Sequence, residues 1–546
     1  MSEEEIVRAL QEPAFYSHRP DRVEHVQTHI SHVFLAGPYV YKLKKAVRFS
    51  FLDFSTPELR RHFCEEEVRL NRRLSPQIYL GVVPITHEVG GALRLDGSGQ
   101  AIDHLVWMRR LPADRILVNL VRSGRARTEM MAALASRLAA FHRSAPEGPE
   151  ISRHADPARL VSRWESVVSG VAPFAGGLLT LEDHEILTDF GPAFIDAHEP
   201  LLRARQRAGR IREGHGDLHA EHVCFVDAPV EGEGTLPPLE PGLYIFDCIE
   251  FSRPLRCNDV ASEIAFLAMD LDSLERPDLA RSLVAAYVVA ADDPDVPVLL
   301  PLYACHLASV RGMVEGLKSA EAEVDPADRE VAAVRARRHF ALALRYAWTA
   351  AAPAVIACTG LSGTGKTTLA AELARTTGFV LLSTDTLRKR RAGLAPETPG
   401  CAAHGAGLYT DEARAANYAA LVAEVEGVLE AGQSVIVDAT FIRRADRDRV
   451  AETARRRGRP YVFLSCQADE ALVRARLAAR EEGRSVSDAR WDVYLAQCKH
   501  CEPFATDERH LVIDTGGTLA SSRAAALRAL WPWRRESAFV PRGAGA

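Results

Sequence analysis

The sequence predicts two unlike domains in one chain. The first is an α+β body, with a small β-rich lobe and a larger helical lobe. The second is an α/β domain with a five-stranded, mainly parallel sheet. Three observations predict this. A chain of 546 residues is too long for one core. From residue 354 onward, short β-branched runs alternate with helical stretches. Before that, strand-like runs cluster early, and the chain beyond residue 125 is largely helical.

Each element has a local cause. "HISHVFLAG" and "YVYKLKK" flank Gly37-Pro38 and read as a hairpin. A helix follows over about Thr56–Leu74, then the strand-like runs "GVVPITHE", "GALRLD" and "HLVWMRRL". "HVCFVD" and "LYIFDCIEF" interrupt the helical lobe, and "DAPVEGEGTLPPLEPG" joins them as a turn-rich loop. A helix over 335–353 should end near Pro353 and link the halves. Beyond it, "AVIACTG", "FVLLSTD", "SVIVDAT", "PYVFLSC" and "HLVIDTG" are the five strands, with right-handed crossovers. The expected boundaries are 1–345 (small lobe about 25–110, large lobe about 112–345), 352–532, and a tail at 533–546.

Composition narrows the function classes. The formal charge is −6, so no global basic field calls for nucleic acid. "MSEEEIVRAL" lacks a signal pattern. Asp292, Asp293 and Asp295 and three prolines break the apolar stretch at 282–310, so it is not read as one membrane span. A cytoplasmic protein is expected. The ten cysteines are scattered, and the one CxxC pair, Cys498 and Cys501, lacks the second pair of ligands that a zinc site needs. Only seven of the 67 basic residues are lysine, and three of those are Lys42, Lys44 and Lys45. A lysine that survives in such an arginine-rich chain marks a place needing a compact ammonium.

"GLSGTGKT", Gly360 to Thr367, follows a strand and opens a helix. It fits the phosphate-binding loop G-x-x-x-x-G-K-[ST], whose backbone N–H groups close around phosphates. The binding set is Gly360, Leu361, Ser362, Gly363, Thr364, Gly365, Lys366 and Thr367, with Thr368 beside it. Lys366 reaches the terminal phosphates and Thr367 can hold Mg²⁺. Asp385 and Asp438 end the second and third strands, where ligands of such sheets sit. One could take a hydroxyl proton and the other hold Mg²⁺ through water. Arg476, Arg480 and Arg484 lie on an expected lid, where Arg480 could neutralise the transferring phosphoryl group. Residues 352–532 resemble the small P-loop kinases of the gluconate-kinase, polynucleotide-kinase and zeta-toxin type. The resemblance implies ATP-dependent phosphorylation of a hydroxyl.

"GHGDLHAEHV", residues 214–223, packs three histidines, an aspartate and a glutamate into ten positions. A metal cage is one reading. A phosphotransfer loop is the other, and it needs a base, a metal-holding aspartate on a later strand, and a lysine held by a helix glutamate. The candidates are Asp217, Asp247, Lys42 and Glu67, with Lys44 the alternative to Lys42, and Glu65 and Glu66 the alternatives to Glu67. The pattern resembles the aminoglycoside phosphotransferase and choline-kinase families over about residues 25–345, through "HGDLH" and the later aspartate. The resemblance implies a bilobal protein-kinase-like fold, a hinge at "VWMRRLP" with Met108 near adenine, and buried structural roles for His215 and His219. Asp259 would start a helix behind the loop, and His142 would end the first large-lobe helix. Two features depart from the family. His222 stands where it places a metal-binding asparagine, and "FLAGPY" replaces its glycine-rich loop. Glu250 is a candidate for the missing oxygen ligand.

The reading is therefore a bifunctional ATP- and Mg²⁺-dependent phosphotransferase acting on small-molecule hydroxyls. One alternative makes the first half a silent nucleotide sensor. Another, motivated by "LRKRRAG" and "ARRRGRP", makes the second half a nucleic-acid-end kinase.

Overall fold

The computed structural model describes residues 2–49, 52–230, 236–391, 393, 411–481 and 491–538, without the side chains of 411–413, 480, 481, 537 and 538. The chain forms two compact units, one of residues 1–160 and 200–307, the other of residues 161–199 and 308–546. The units interleave in sequence. Helical segments 161–199 and 308–349, which the sequence reading assigned to the first domain, sit in the second unit.

The first unit is built on a six-stranded antiparallel sheet. It contains the expected hairpin, Ser31–Ala36 and Tyr39–Lys44, turning at Gly37 (φ +59°). The helix Glu3–Gln11 precedes the small lobe expected from about residue 25, and the strand Val23–Gln27 opens at that boundary. Ser2 and Glu5 close that helix's N-terminus as a reciprocal capping box. Side chains alternate along Tyr39–Lys44. Tyr39, Tyr41 and Leu43 pack into a core with Phe34, Ile85 and Leu105, so Lys42 and Lys44 share the opposite face. The helix Pro57–Asn71 begins at Thr56, whose hydroxyl accepts from the Leu59 N–H, with Pro57 in the first turn.

In the larger lobe, strand Ile211–Glu213 leads into the 214–222 loop, and the hairpin Val223–Val226/Gly242–Ile245 follows. The helix Val260–Ser273 lies behind the loop, capped by Asp259, whose carboxylate accepts from the Ala261 N–H.

The second unit carries five parallel strands in the order Val380–Ser383, Val435–Asp438, Val355–Thr359, Tyr461–Gln467, His510–Asp514. The central Val355–Thr359 is buried throughout, as a strand covered on both faces must be. The linking helix runs Pro326–Thr349 and starts earlier than expected, because Asp325 caps it and Pro326 opens it. Among the described residues one helix, Val296–Ala320, is long and apolar enough to cross a membrane, and half of its most apolar window is buried in the protein.

Candidate functional site

Lys42 and Lys44 meet the glutamate that strand and helix geometry set opposite them. Lys42 Nζ donates to Glu67 Oε1 at 3.0 Å, and Lys44 Nζ donates to Glu67 Oε2 at 2.7 Å. Glu67 is fully buried, while Glu65 and Glu66 pair with Arg61 and Arg69 instead. Lys42 also donates to Asp247 Oδ1 at 2.6 Å, and Lys44 donates to Glu250. Glu250 is thus committed to Lys44 and is not placed as the missing oxygen ligand. Lys45 donates to the Thr28 carbonyl.

Three carboxylates face two ammonium groups here. Burial opposes charge on Lys42 and Lys44, but the surrounding carboxylates outweigh it and hold both pKa values up. Burial also pushes Asp247 up. Lys42 and His222 overcome this and hold its carboxyl well below the ordinary range. Glu250 goes the other way: burial and the Glu67 charge raise it despite Lys44. Burial, with the Glu67 charge beside it, therefore favours the protonated form of Glu250 more than it is favoured in an exposed glutamate.

Asp247 is reached through a backbone kink. Strand Gly242–Ile245 ends early, and Asp247 sits at φ +63°, a left-handed conformation that aspartate tolerates better than most residues. Its N–H donates to the Tyr79 hydroxyl at 3.0 Å, and the Cys248 N–H donates to Asn71 Oδ1 at 2.9 Å.

The 214–222 loop is anchored by a residue the sequence reading missed. Glu263 accepts from the backbone N–H groups of His215 and Gly216 (2.7 Å for the latter) and from His142 Nε2 at 2.8 Å. A Cβ at Gly214 would stand 2.2 Å from Glu263 Oε1. His215 is fully buried. Its Nε2 donates to the Phe246 carbonyl at 2.9 Å, and its Nδ1 faces the Asp217 N–H at 3.3 Å. These bonds position Asp217, whose side chain is about a third exposed.

His222 lies between the two aspartates. Its Nδ1 is 2.8 Å from the Asp217 carbonyl oxygen, and its Nε2 is 3.5 Å from Asp247 Oδ2. Burial and the neighbouring His219 push its pKa down to about 4, so it is neutral at neutral pH. Among the described residues, Asp217, His219 and His222 form a group whose potential metal-ligating atoms all lie within 4.8 Å of one another. Met108, partly buried near the end of strand Gln100–Arg109, packs against the core formed by Val68, Tyr79 and Val106.

The second site lies beyond the carboxyl end of strand Val355–Thr359. Gly360, Gly363 and Gly365 have φ of +149°, +85° and +90°, and a Cβ at Gly360 would meet the Cys466 carbonyl oxygen at 2.6 Å. Leu361 and Thr364 close the turn, since Thr364 Oγ1 donates to the Leu361 carbonyl at 2.8 Å. The Ser362 N–H donates to Gln497. Lys366 and Thr367 begin the helix Lys366–Thr377. Asp438 accepts from Ser383 through Oδ2 at 3.2 Å, while its Oδ1 is buried with no hydrogen-bond partner. Burial pushes the Asp438 carboxyl up, against the pull of Lys366 and the Thr367 hydroxyl. Asp385 lies in the first turn of helix Thr384–Arg391, beyond the strand end at Ser383, and pairs with Arg388 at 3.1 Å. Arg476 donates to the Thr515 carbonyl at 2.8 Å, and its Nη1 is buried without a partner. With Gly365, Thr368 and Thr515 it lines a cavity of about 330 Å³. Arg484 and the side chain of Arg480 lie outside the described residues.

The donor sets differ in what they fit. At the second site, a buried orphan carboxylate oxygen beside a hydroxyl and an ammonium fits a Mg²⁺-bound nucleotide. At the first, Asp247 and Lys42 fit such a ligand, but the His222 nitrogen stands where Mg²⁺ asks for oxygen.

Residues 355–504 match the family described as an AAA domain. Among solved structures, a choline/ethanolamine kinase family protein from Mesorhizobium loti is 13% identical, with a TM-score of 0.36, over 62% of this chain and 98% of that one. A gluconokinase from Sinorhizobium meliloti is 22% identical, with a TM-score of 0.26, over 34% and 95%. The AAA-domain match spans the 360–367 loop. The Mycobacterium tuberculosis protein Rv2004c is 30% identical over 497 residues, 90% of this chain and 92% of that one, and this chain belongs to its family.

Proposed function

We propose that the chain is a bifunctional ATP-dependent phosphotransferase, each site moving the γ-phosphate of ATP to a hydroxyl of a small molecule. The observation that carries this reading is the placing of Lys42 between Glu67 and Asp247, at 3.0 and 2.6 Å. It is an ammonium oriented by a helix carboxylate next to a carboxylate suited to a metal-bound phosphate. In the second site, Lys366 and Asp438 supply the same pair of charges.

At the first site, Asp217 accepts the acceptor's hydroxyl proton as its oxygen bonds to the γ-phosphorus and the bond to the ADP oxygen breaks. Lys42 binds the phosphates, Asp247 and Thr367 are the respective metal-side residues, and Met108 lines the adenine side. At the second site, Asp385 takes the proton. The phosphoryl-neutralising role expected of Arg480 has a further candidate in Arg476, whose unpaired Nη1 lies 3.3 Å from where a Cβ on Gly365 would be. At the second site, Mg²⁺ would supply charge neutralisation on the transferring phosphates.

The test is transfer from γ-labelled ATP into a small-molecule extract by wild type, Asp217→Ala and Lys366→Ala. Two products, each lost in a different variant, are expected. Products surviving both changes would reject the reading. His222 and the missing glycine-rich loop favour a second reading, a nucleotide-binding first domain without turnover. It predicts that Lys366→Ala binds ATP through Lys42 yet labels nothing.

A further inference from the structure

The first site holds two Lewis bases face to face with no proton to share. A carbonyl oxygen only accepts, so the 2.8 Å contact between His222 Nδ1 and the Asp217 carbonyl puts the imidazole proton on Nδ1. The lone pair is then on Nε2. That nitrogen faces Asp247 Oδ2 at 3.5 Å, too long for the charge-assisted hydrogen bond of about 2.7–2.9 Å that an imidazolium would make. Asp247 satisfies its other oxygen with Lys42. Two ligand atoms each about 2.1 Å from one ion are separated by about 3.0 Å at a right angle and about 3.4 Å at a tetrahedral one. The observed separation of 3.5 Å is close to the tetrahedral value and leaves room for one cation between the two atoms.

We propose that His222 Nε2 and Asp247 Oδ2 form a binding site for a divalent first-row transition ion, which the first site takes in preference to Mg²⁺. The inference rests on the phosphotransferase reading only in placing the ion beside a nucleotide. Imidazole nitrogen is a good donor to such ions and a poor one to Mg²⁺. The tautomer is held by the Asp217 carbonyl, and the loop backbone is fixed because the Phe246 N–H donates to the His222 carbonyl at 3.0 Å and the His222 N–H donates to the His219 carbonyl. His222 is therefore presented as a ligand before any ion arrives, in the way a second hydrogen bond orients metal-binding histidines elsewhere.

The experiment uses the full chain, Mn²⁺ alone as the probe, and no nucleotide. Electron paramagnetic resonance reads the loss of the free Mn²⁺ signal, and electron spin echo modulation reads nitrogen bound to the ion. Wild type is expected to bind Mn²⁺ at least ten-fold more tightly than Mg²⁺ competes for it, with ¹⁴N modulation. His222→Asn should lose the modulation and bring the Mn²⁺-to-Mg²⁺ preference down about ten-fold, since an oxygen donor replaces nitrogen. Wild type bound to Mn²⁺ without ¹⁴N modulation, or modulation that persists in His222→Asn, would overturn the proposal. The wild-type spectrum alone decides if the variant does not fold. Binding is read without turnover. A ¹⁴N signal in a protein that labels no product would keep this inference and reject the phosphotransferase reading.

Discussion

Lys42 and Lys44, two residues apart on one strand, divide the carboxylate of Glu67 between them, one on each oxygen, at 3.0 and 2.7 Å. Neither lysine is the spare of the other. Lys42 extends the pair to Asp247 and the exposed edge of the site, while Lys44 extends it inward to Glu250.

Removing the shared partner should therefore be more damaging than removing the inner lysine. Glu67→Gln takes the common charge from two buried ammonium groups, and breaking a buried pair from one side typically destabilises by about 3–5 kcal/mol. Lys44→Met leaves Glu67 paired with Lys42 and leaves Glu250 free to take the proton toward which its raised pKa already inclines it. Urea denaturation at neutral pH should show the larger loss for Glu67→Gln. Equal losses would mean that Lys44, not Glu67, organises the cluster.

The loop that carries Asp217 should be as sensitive as the cluster. Gly214→Ala puts a methyl group 2.2 Å from Glu263 Oε1, which also holds the His215 and Gly216 N–H groups. Overpacking of this kind destabilises by about 1–3 kcal/mol. Labelling by the first site should fall at least ten-fold, while labelling by the second stays within two-fold. An unaffected first site would show that the anchoring of the loop by Glu263 is dispensable.

How much of this could be read from the sequence follows from how local each cause is. The 360–367 loop is legible because its three left-handed glycines and its helix start are decided by neighbours in the chain. Lys42 and Lys44 are legible as a same-face pair, because alternation along a strand is local, but which carboxylate each meets is decided by a helix and a kinked segment about 25 and 205 residues away. Glu263 is invisible for the same reason. In "ASEIAFL" it looks like any helix glutamate, and only the fold brings it under residues 215 and 216. Two omissions had local signals. Ser2 and Glu5 spell a capping box, and Asp325-Pro326 spells a helix start ten residues before the expected one. The division of helices between units had none. An amphipathic stripe on Leu181–Ala197 says that something covers it, and only long-range contacts such as the ion pair of Asp183 with Arg523 at 2.6 Å say what does.

Asp438 gives a prediction in which stability and function part. Its pKa is raised by burial, so the folded state prefers it protonated. For a carboxyl raised on folding, the favourable contribution is fully present below the unfolded pKa near 4 and is lost as pH rises through the folded value. At neutral pH the ionised group therefore weakens the nucleotide-free protein. Asp438→Asn, which keeps an acceptor for Ser383, should raise the melting temperature at pH 7 and give no gain at pH 3.5. A lower melting temperature at pH 7 would show that Lys366 more than compensates for the burial of the carboxylate.

Nucleotide should reverse that ordering. A ligand at a hundred times its dissociation constant stabilises the state that binds it by about 2.7 kcal/mol. In wild type, ATP with Mg²⁺ should raise the unfolding transition of the second unit, because Lys366, Thr367 and the orphan Asp438 Oδ1 gain partners. Asp438→Asn should lose most of that rise and Lys366→Ala all of it, leaving whatever shift arises at Lys42. Adding Lys42→Met to Lys366→Ala should then abolish the remainder. A shift that survives both lysine substitutions would mean that nucleotide binds without either lysine.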